Sequence, residues 1–177
     1  MNYTPEQIAE IVLKVLKEVN EPDVLSLSFD EKCELAQNPN TPTETLKVLA
    51  TDEYYDVRSC VARNPNTPTE TLKVLATDEY SIVRREVARN PNTPVETLKV
   101  LATDKDSGVR SRVARNPNTP VETLKVLATD EYSDVRYEVA QNPNYKTQTL
   151  ELTQVQYDAL KVLLKSSQDE TLKTLTL

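Results

Sequence analysis

A chain of 177 residues with a formal charge of −7, no histidine and one glycine has room for one domain, or for one stack of small units sharing a core. Lacking histidine, it has no ordinary general base or imidazole metal ligand, and Gly108 alone cannot build a glycine loop around phosphates. The acidic balance argues against a general affinity for nucleic acid or an anionic membrane, and Cys33 and Cys60 have no paired spacing, which suits a reducing compartment without a disulfide framework.

The opening stretch MNYTPEQIAEIVLKVLKEVN predicts a long amphipathic helix. Thr4 and Gln7 form a capping box, and Ile8, Ile11, Val12, Val15, Leu16 and Val19 share one stripe. Acidic residues interrupt its apolar positions and it has no basic leader, so it does not read as a signal peptide. No window approaches the ~18 consecutive apolar residues of a membrane span, and a cytoplasmic location is expected.

The stretch FDEKCELAQ at 29–37 lines up with YDVRSCVAR at 55–63 and opens an array with half a unit. Four full units of 26 residues follow at 38–63, 64–89, 90–115 and 116–141, each beginning Asn-Pro-Asn, and a fifth Asn-Pro-Asn at 142 opens a unit that diverges. A fixed period of this size is the mark of a solenoid.

Within a unit, TPTETLKVLA predicts a helix with Thr41 as N-cap, Pro42 in the first helical position and Glu44 closing a capping box; Thr67, Thr93 and Thr119 repeat the pattern. Leu46, Leu49 and Ala50 fall on one face, which is the expected core. Asp52 is the expected turn former. A second short helix, DVRSCVAR, carries Val57 and Val61 one turn apart. Asn64-Pro65 should end it, because the residue before proline avoids helical angles and asparagine tolerates left-handed ones. Neither helix is long enough to be stable alone.

The run VRSCVARNPNTPTETLKVLATDEY resembles the leucine-rich repeat variant family, and the resemblance covers about 29–144. It implies a right-handed superhelix in which α-helices alternate with shorter, partly 3₁₀ helices, without a sheet. Some members carry a cysteine-rich N-terminal segment holding an iron–sulphur cluster. Here Cys33 is the sole cysteine of the first 59 residues, so no cluster is carried over and no cofactor is expected. The spacing of Asp52 from Val57-Arg58 also resembles HEAT repeats. The expected fold is all-α: a right-handed α-solenoid of two-helix, 26-residue repeats with helical caps. A cap and half repeat occupy 1–37, four repeats 38–141, and a degenerate repeat with a second cap 142–177. In that second cap, TQVQYDALKVLLKSS has its own capping box at Thr153 and Gln156, and DETLKTLTL is a short helix or tail.

Repetition lines residues up in columns. Asp52, Asp78, Asp104 and Asp130 form one, and Arg58, Arg84, Arg110 and Arg136 another; a structural ladder fixing repeat register is favoured over a phosphate-binding ladder. Arg63, Arg89 and Arg115 form an outward column interleaved with Glu86 and Glu138, read as a solvated face or a contact for an acidic partner. Val48, Val74, Val100 and Val126 lie opposite the leucine face, where packing between repeats is favoured over an exposed binding stripe. The units differ in their turns and at two positions of the second helix expected to face outward: Ser59-Cys60, Arg85-Glu86, Ser111-Arg112 and Tyr137-Glu138. Tyr54, Tyr55, Tyr80, Tyr132 and Tyr137 fall in these places, where tyrosine suits protein contacts. The chain reads as a non-catalytic, monomeric scaffold for a protein partner; the alternative is a nucleic-acid binder using the arginine columns. An enzyme ranks last, because no nucleophile has a base and four equal sites would be unusual.

Overall fold

The computed structural model describes residues 24–146 together with Gln156, Asp158 and Ala159. The expected N-terminal cap helix and, apart from those three positions, the C-terminal one lie outside the described residues. Among the described residues a 3₁₀ turn (Val24–Ser26) precedes nine α-helices: α1 (Phe29–Gln37), α2 (Thr43–Leu49), α3 (Tyr55–Arg63), α4 (Thr69–Leu75), α5 (Ser81–Arg89), α6 (Val95–Leu101), α7 (Ser107–Arg115), α8 (Val121–Leu127) and α9 (Ser133–Gln141). No strand occurs among them. The chain divides into two compact units, Met1–Asn92 and Thr93–Leu177.

In the first unit the nine-residue helices α1, α3 and α5 stack one on the next, and the seven-residue helices α2 and α4 pack against them. In the second, α9 stacks on α7, with α6 on α7 and α8 against both. Each unit is therefore a helical-repeat stack. Its core is what the pattern dictates: Leu46, Leu72, Val57, Val61, Val83 and Val87 are fully buried in the first unit, and Leu98, Leu124, Val109 and Val113 in the second. Burying one such side chain is worth about 1.5–3 kcal/mol, and that burial holds helices too short to stand alone. The seven-residue helices are α-helical rather than 3₁₀. Only their last turn tightens, with Thr51 N–H donating to the Val48 carbonyl at 3.1 Å and Asp52 N–H to that of Leu49 at 3.2 Å.

Two expectations about helix ends are corrected. Thr41 does not cap α2: Pro42 holds the cap position with no side-chain cap bond, and Glu44 reaches forward to Lys47 at 2.6 Å. The threonine hydroxyl turns backward and donates to the Leu35 carbonyl at 2.5 Å, as Thr67 does to Val61 and Thr119 to Val113 at 2.6 Å. It closes the helix before it, whose last carbonyls have no partner in their own helix. A capping box does form, at Ser28 and Glu31 on α1. Asn64 is not left-handed either. It is extended (φ −65°, ψ 128°), and no described residue has positive φ.

The extended asparagine frees its side chain for a longer reach. Asn64 Nδ2 donates to the carbonyls of Ala36 (2.7 Å) and Asn38 (2.8 Å), one repeat back, while its Oδ1 accepts the Asn66 N–H at 2.8 Å. Asn90 repeats this on Ala62 (2.7 Å) and Asn64 (3.0 Å), and in the second unit Asn142 does so on Ala114 (2.7 Å) and Asn116 (3.0 Å). The second asparagine of each motif adds a parallel rail: Asn66 donates to Pro39, Asn92 to Pro65 at 2.6 Å and Asn144 to Pro117 at 2.7 Å. Asn64→Ala strands the buried Ala36 carbonyl and takes one of two donors from that of Asn38, and a buried unpaired carbonyl costs about 1–3 kcal/mol. Urea unfolding should show a loss of about 3 kcal/mol, against about 1 for the exposed Asn66→Ala.

The valine column is also corrected. Val74, Val100 and Val126 are exposed by 64, 62 and 64%, and Val48 by 39%, so they do not pack between repeats. The seven-residue helices bury Thr45, Leu46 and Leu49, or their equivalents, against the nine-residue helices and turn their other side to solvent. Leu72→Ala should therefore cost about 2–5 kcal/mol by leaving a cavity. Val74→Ala, two residues away, should change the urea midpoint by less than the equivalent of about 0.5 kcal/mol.

Candidate interaction surface

Each turn from a seven- to a nine-residue helix is built on its aspartate. Asp52 Oδ1 accepts the Tyr54 N–H at 3.0 Å; Asp78 and Asp130 do the same for Tyr80 and Tyr132 at 2.9 Å, and Asp104 for Asp106 at 2.8 Å. The carboxylate also accepts a cation from the preceding helix of the stack. Lys32 Nζ lies 2.9 Å from Asp52 Oδ2. Arg58 grips Asp78 with two bonds, 2.6 Å from Nε and 3.0 Å from Nη2, while its Nη1 donates to the Asp52 and Glu53 carbonyls at 2.8 and 3.0 Å. In the second unit Arg110 grips Asp130 at 2.7 and 3.0 Å and donates to the Asp104 carbonyl at 2.8 Å. Arg84 donates to the carbonyls of Asp78 and Glu79, and Arg136 to those of Asp130 and Glu131. One guanidinium thus ties its own turn to the next.

These pairs sit largely out of water. The side chains of Arg58 and Asp78 are 12 and 7% exposed. The hydrogen bonds from Arg110 hold the Asp130 carboxyl below the ordinary carboxylate value, and the carboxylates of Asp78 and Asp130 raise Arg58 and Arg110. Removing one partner leaves an uncompensated charge, so Asp130→Ala should cost about 3–5 kcal/mol in urea unfolding. Because folding depresses the Asp130 pKa, its contribution is complete above the ordinary value of 3.8 and is lost as pH falls below it. The Tm of the native chain should drop on acidification through about pH 4, and that of Asp130→Ala should drop less.

The turns display their aromatic residues. Tyr54, Tyr80 and Tyr132 occupy the N-cap positions of α3, α5 and α9, and none makes a cap bond; in α7 that position holds Asp106, whose carboxylate accepts the Val109 N–H at 3.1 Å. The three tyrosines are 47, 43 and 51% exposed. Phe29 meets Tyr54 edge-on at 5.4 Å, and Tyr55 stacks on Tyr80 at 4.6 Å. The Arg58 guanidinium lies 5.7 Å from the centre of the Tyr80 ring, and that of Arg110 lies 5.4 Å from Tyr132. Tyr137, on α9, is exposed and lines an open hollow of about 470 Å³ with Arg115, Glu138 and Gln141.

The remaining columns divide. Arg63 and Arg89 are exposed, but Glu86 Oε2 lies 3.2 Å from Arg63 Nε and 3.8 Å from Arg89 Nη1. Glu86 and Ser59 are buried, not outward as their helical position suggested, because α3 and α5 stack and cover each other's flanks. The stacking of α1 on α3 also brings Cys33 to Cys60 within hydrogen-bonding reach, and Gln37 Nε2 donates to the Cys60 sulfur at 3.4 Å. Both thiols are free, and burial beside Cys60 pushes Cys33 up to about 11. A sequence separation of 27 residues, one repeat plus one, gave no sign of this contact.

Among the described residues no helix is long and apolar enough to cross a membrane, and no cluster of cysteines and carboxylates is arranged to hold a metal ion. No curated protein and no solved structure matches the chain. The family model described as leucine rich repeat variant matches three consecutive stretches, residues 55–79, 83–106 and 108–131. Each stretch runs from a nine-residue helix through Asn-Pro-Asn and the next seven-residue helix to the turn that follows. Residues 55–131 therefore carry three consecutive units similar to the leucine rich repeat variant.

Proposed function

We propose that the chain is a non-catalytic scaffold that binds a protein partner across its tyrosine-bearing turns. One observation carries this reading. A cap side chain is worth about 1 kcal/mol to a helix, and Asp106 supplies one, yet the equivalent positions of α3, α5 and α9 hold tyrosines that cap nothing. Those rings stand exposed on a frame of paired aspartates and arginines. Large, stiff aromatic side chains on a rigid support gain contact area at little entropy cost.

Nucleic acid is the less supported partner. Arg58 and Arg110 are taken up by aspartates, and Glu86 neutralises Arg63 and faces Arg89. A catalytic role has little support too: Ser59 is buried without a basic partner, and the raised Cys33 thiol stays protonated near neutral pH.

A lysate pull-down with the intact chain should capture a protein that a variant with Tyr54, Tyr80, Tyr132 and Tyr137 changed to serine does not. Equal capture by both would move the contact to the valine or arginine columns, and nucleic acid in the eluate would favour the other partner. Tyr132→Asp serves as a folded control. It gains a cap bond worth about 1 kcal/mol and loses a cation–π contact worth about 0.5–1, so its stability should stay within about 1 kcal/mol of the native chain.

A further inference from the structure

Phe29, Tyr54, Tyr55 and Tyr80 form an aromatic strip along the turn edge of the first unit. The rings pair at 5.4 and 4.6 Å, Tyr54 and Tyr55 join the pairs through the chain, and each residue is 38 to 47% exposed. Around them the exposed side chains are acidic: Asp30, Glu53, Asp56 and Glu79. The cations of the same turns offset this charge only in part, Lys32 acting on Glu53 and Arg58 on Glu79 through space while each is bound to another carboxylate. Lys32 is buried against Asp52, and Arg58 is held by Asp78. The strip therefore shows a partner aromatic rings interleaved with unpaired negative charge.

We infer that this strip docks an arginine-rich segment of the partner protein. The inference rests on the scaffold reading and adds the chemistry of what is bound. A guanidinium is the group that such a surface satisfies in two ways at once: its plane lies over an aromatic ring, and its N–H fork pairs with a carboxylate. The protein already makes this combination on the inner side of the edge, where Arg58 lies by the Tyr80 ring while gripping Asp78. A lysine ammonium pairs with carboxylates as a point charge but does not stack, so it binds less well. A phosphate or an acidic segment meets repulsion from the four carboxylates. A second copy of this chain, at net −7, is a poor occupant for the same reason.

The test is fluorescence anisotropy of the full chain with a labelled peptide of about a dozen residues alternating arginine and serine. The arginine peptide should bind, the equivalent lysine peptide several-fold more weakly, and the glutamate peptide not at all. Changing Tyr54, Tyr55 and Tyr80 together to serine should weaken the arginine peptide at least about tenfold, as should Glu53→Gln with Glu79→Gln. Changing the same tyrosines to phenylalanine keeps the rings and should leave binding within about twofold, which separates loss of the rings from loss of the fold. Glu96→Gln with Glu122→Gln, on exposed carboxylates of the second unit, should leave it unchanged. Equal binding to the serine variant, or equal loss from the distant glutamates, would reduce the effect to unspecific charge and overturn the inference. So would a failure of the arginine peptide to bind, or sedimentation showing that the strip joins two copies of the chain. If the arginine peptide fails while a lysate protein is still lost with the tyrosines, the scaffold stands and its basic partner falls; if that protein is kept, the tyrosine surface falls as well.

Discussion

The structure depends on a carboxamide that reaches one repeat back. Hydrophobic burial brings the short helices together but does not fix their register, since leucine and valine recur identically in each repeat and burial has no direction. The side chain of Asn64 does have direction. Two donor hydrogens meet the carbonyls of Ala36 and Asn38, and its oxygen takes up the Asn66 N–H. A slip of one residue would leave the Asn64 amide hydrogens and the Ala36 carbonyl buried and unpaired, so the penalty for misregister is concentrated in a few atoms.

A second polar network works at the other end of the nine-residue helices. Arg58 reaches 20 residues ahead to Asp78 while holding the carbonyls of its own turn, and Arg110 does the same toward Asp130. With Asn64 at its C-terminal end and Arg58 at its N-terminal end, α3 is tied to its neighbours at both ends. The two networks differ in what they leave over. The Asn-Pro-Asn end uses its polar groups internally, whereas the aspartate turns hold backbone and guanidinium inside and keep tyrosines and extra carboxylates outside. The turn edge is therefore where aromatic rings and carboxylates remain exposed.

The distribution of variation fits this division. Residues that tie the repeats together recur in every full unit, while the positions after the turn aspartate change from Glu-Tyr-Tyr-Asp to Lys-Asp-Ser-Gly. Where tyrosine gives way to Asp106, the helix gains a cap and the surface loses a ring. Cap and exposed ring compete for one position. That competition is visible because neighbouring units settle it differently on nearly the same backbone, with φ between −84° and −87° at all four positions.

Much of the fold was legible in the sequence because its causes are local and periodic. The 26-residue period, the buried faces of Leu46, Leu49, Val57 and Val61, and the breaks at Asp52 and Asn64 follow from helical spacing and turn chemistry alone. What tertiary structure decided were choices between roles that one side chain can fill. Thr41 suits an N-cap, but the Leu35 carbonyl in the last turn of the preceding helix lies close behind it and takes the hydroxyl. Asn64 suits a left-handed stop, but carbonyls 26 and 28 residues earlier draw it into an extended tie. Spacing puts Val74 in packing between repeats, but the seven-residue helix turns it to solvent; it puts Glu86 in solvent, but the stacking of the nine-residue helices buries it. Helical periodicity says which residues share a face, whereas the position of the neighbouring repeat decides what that face meets.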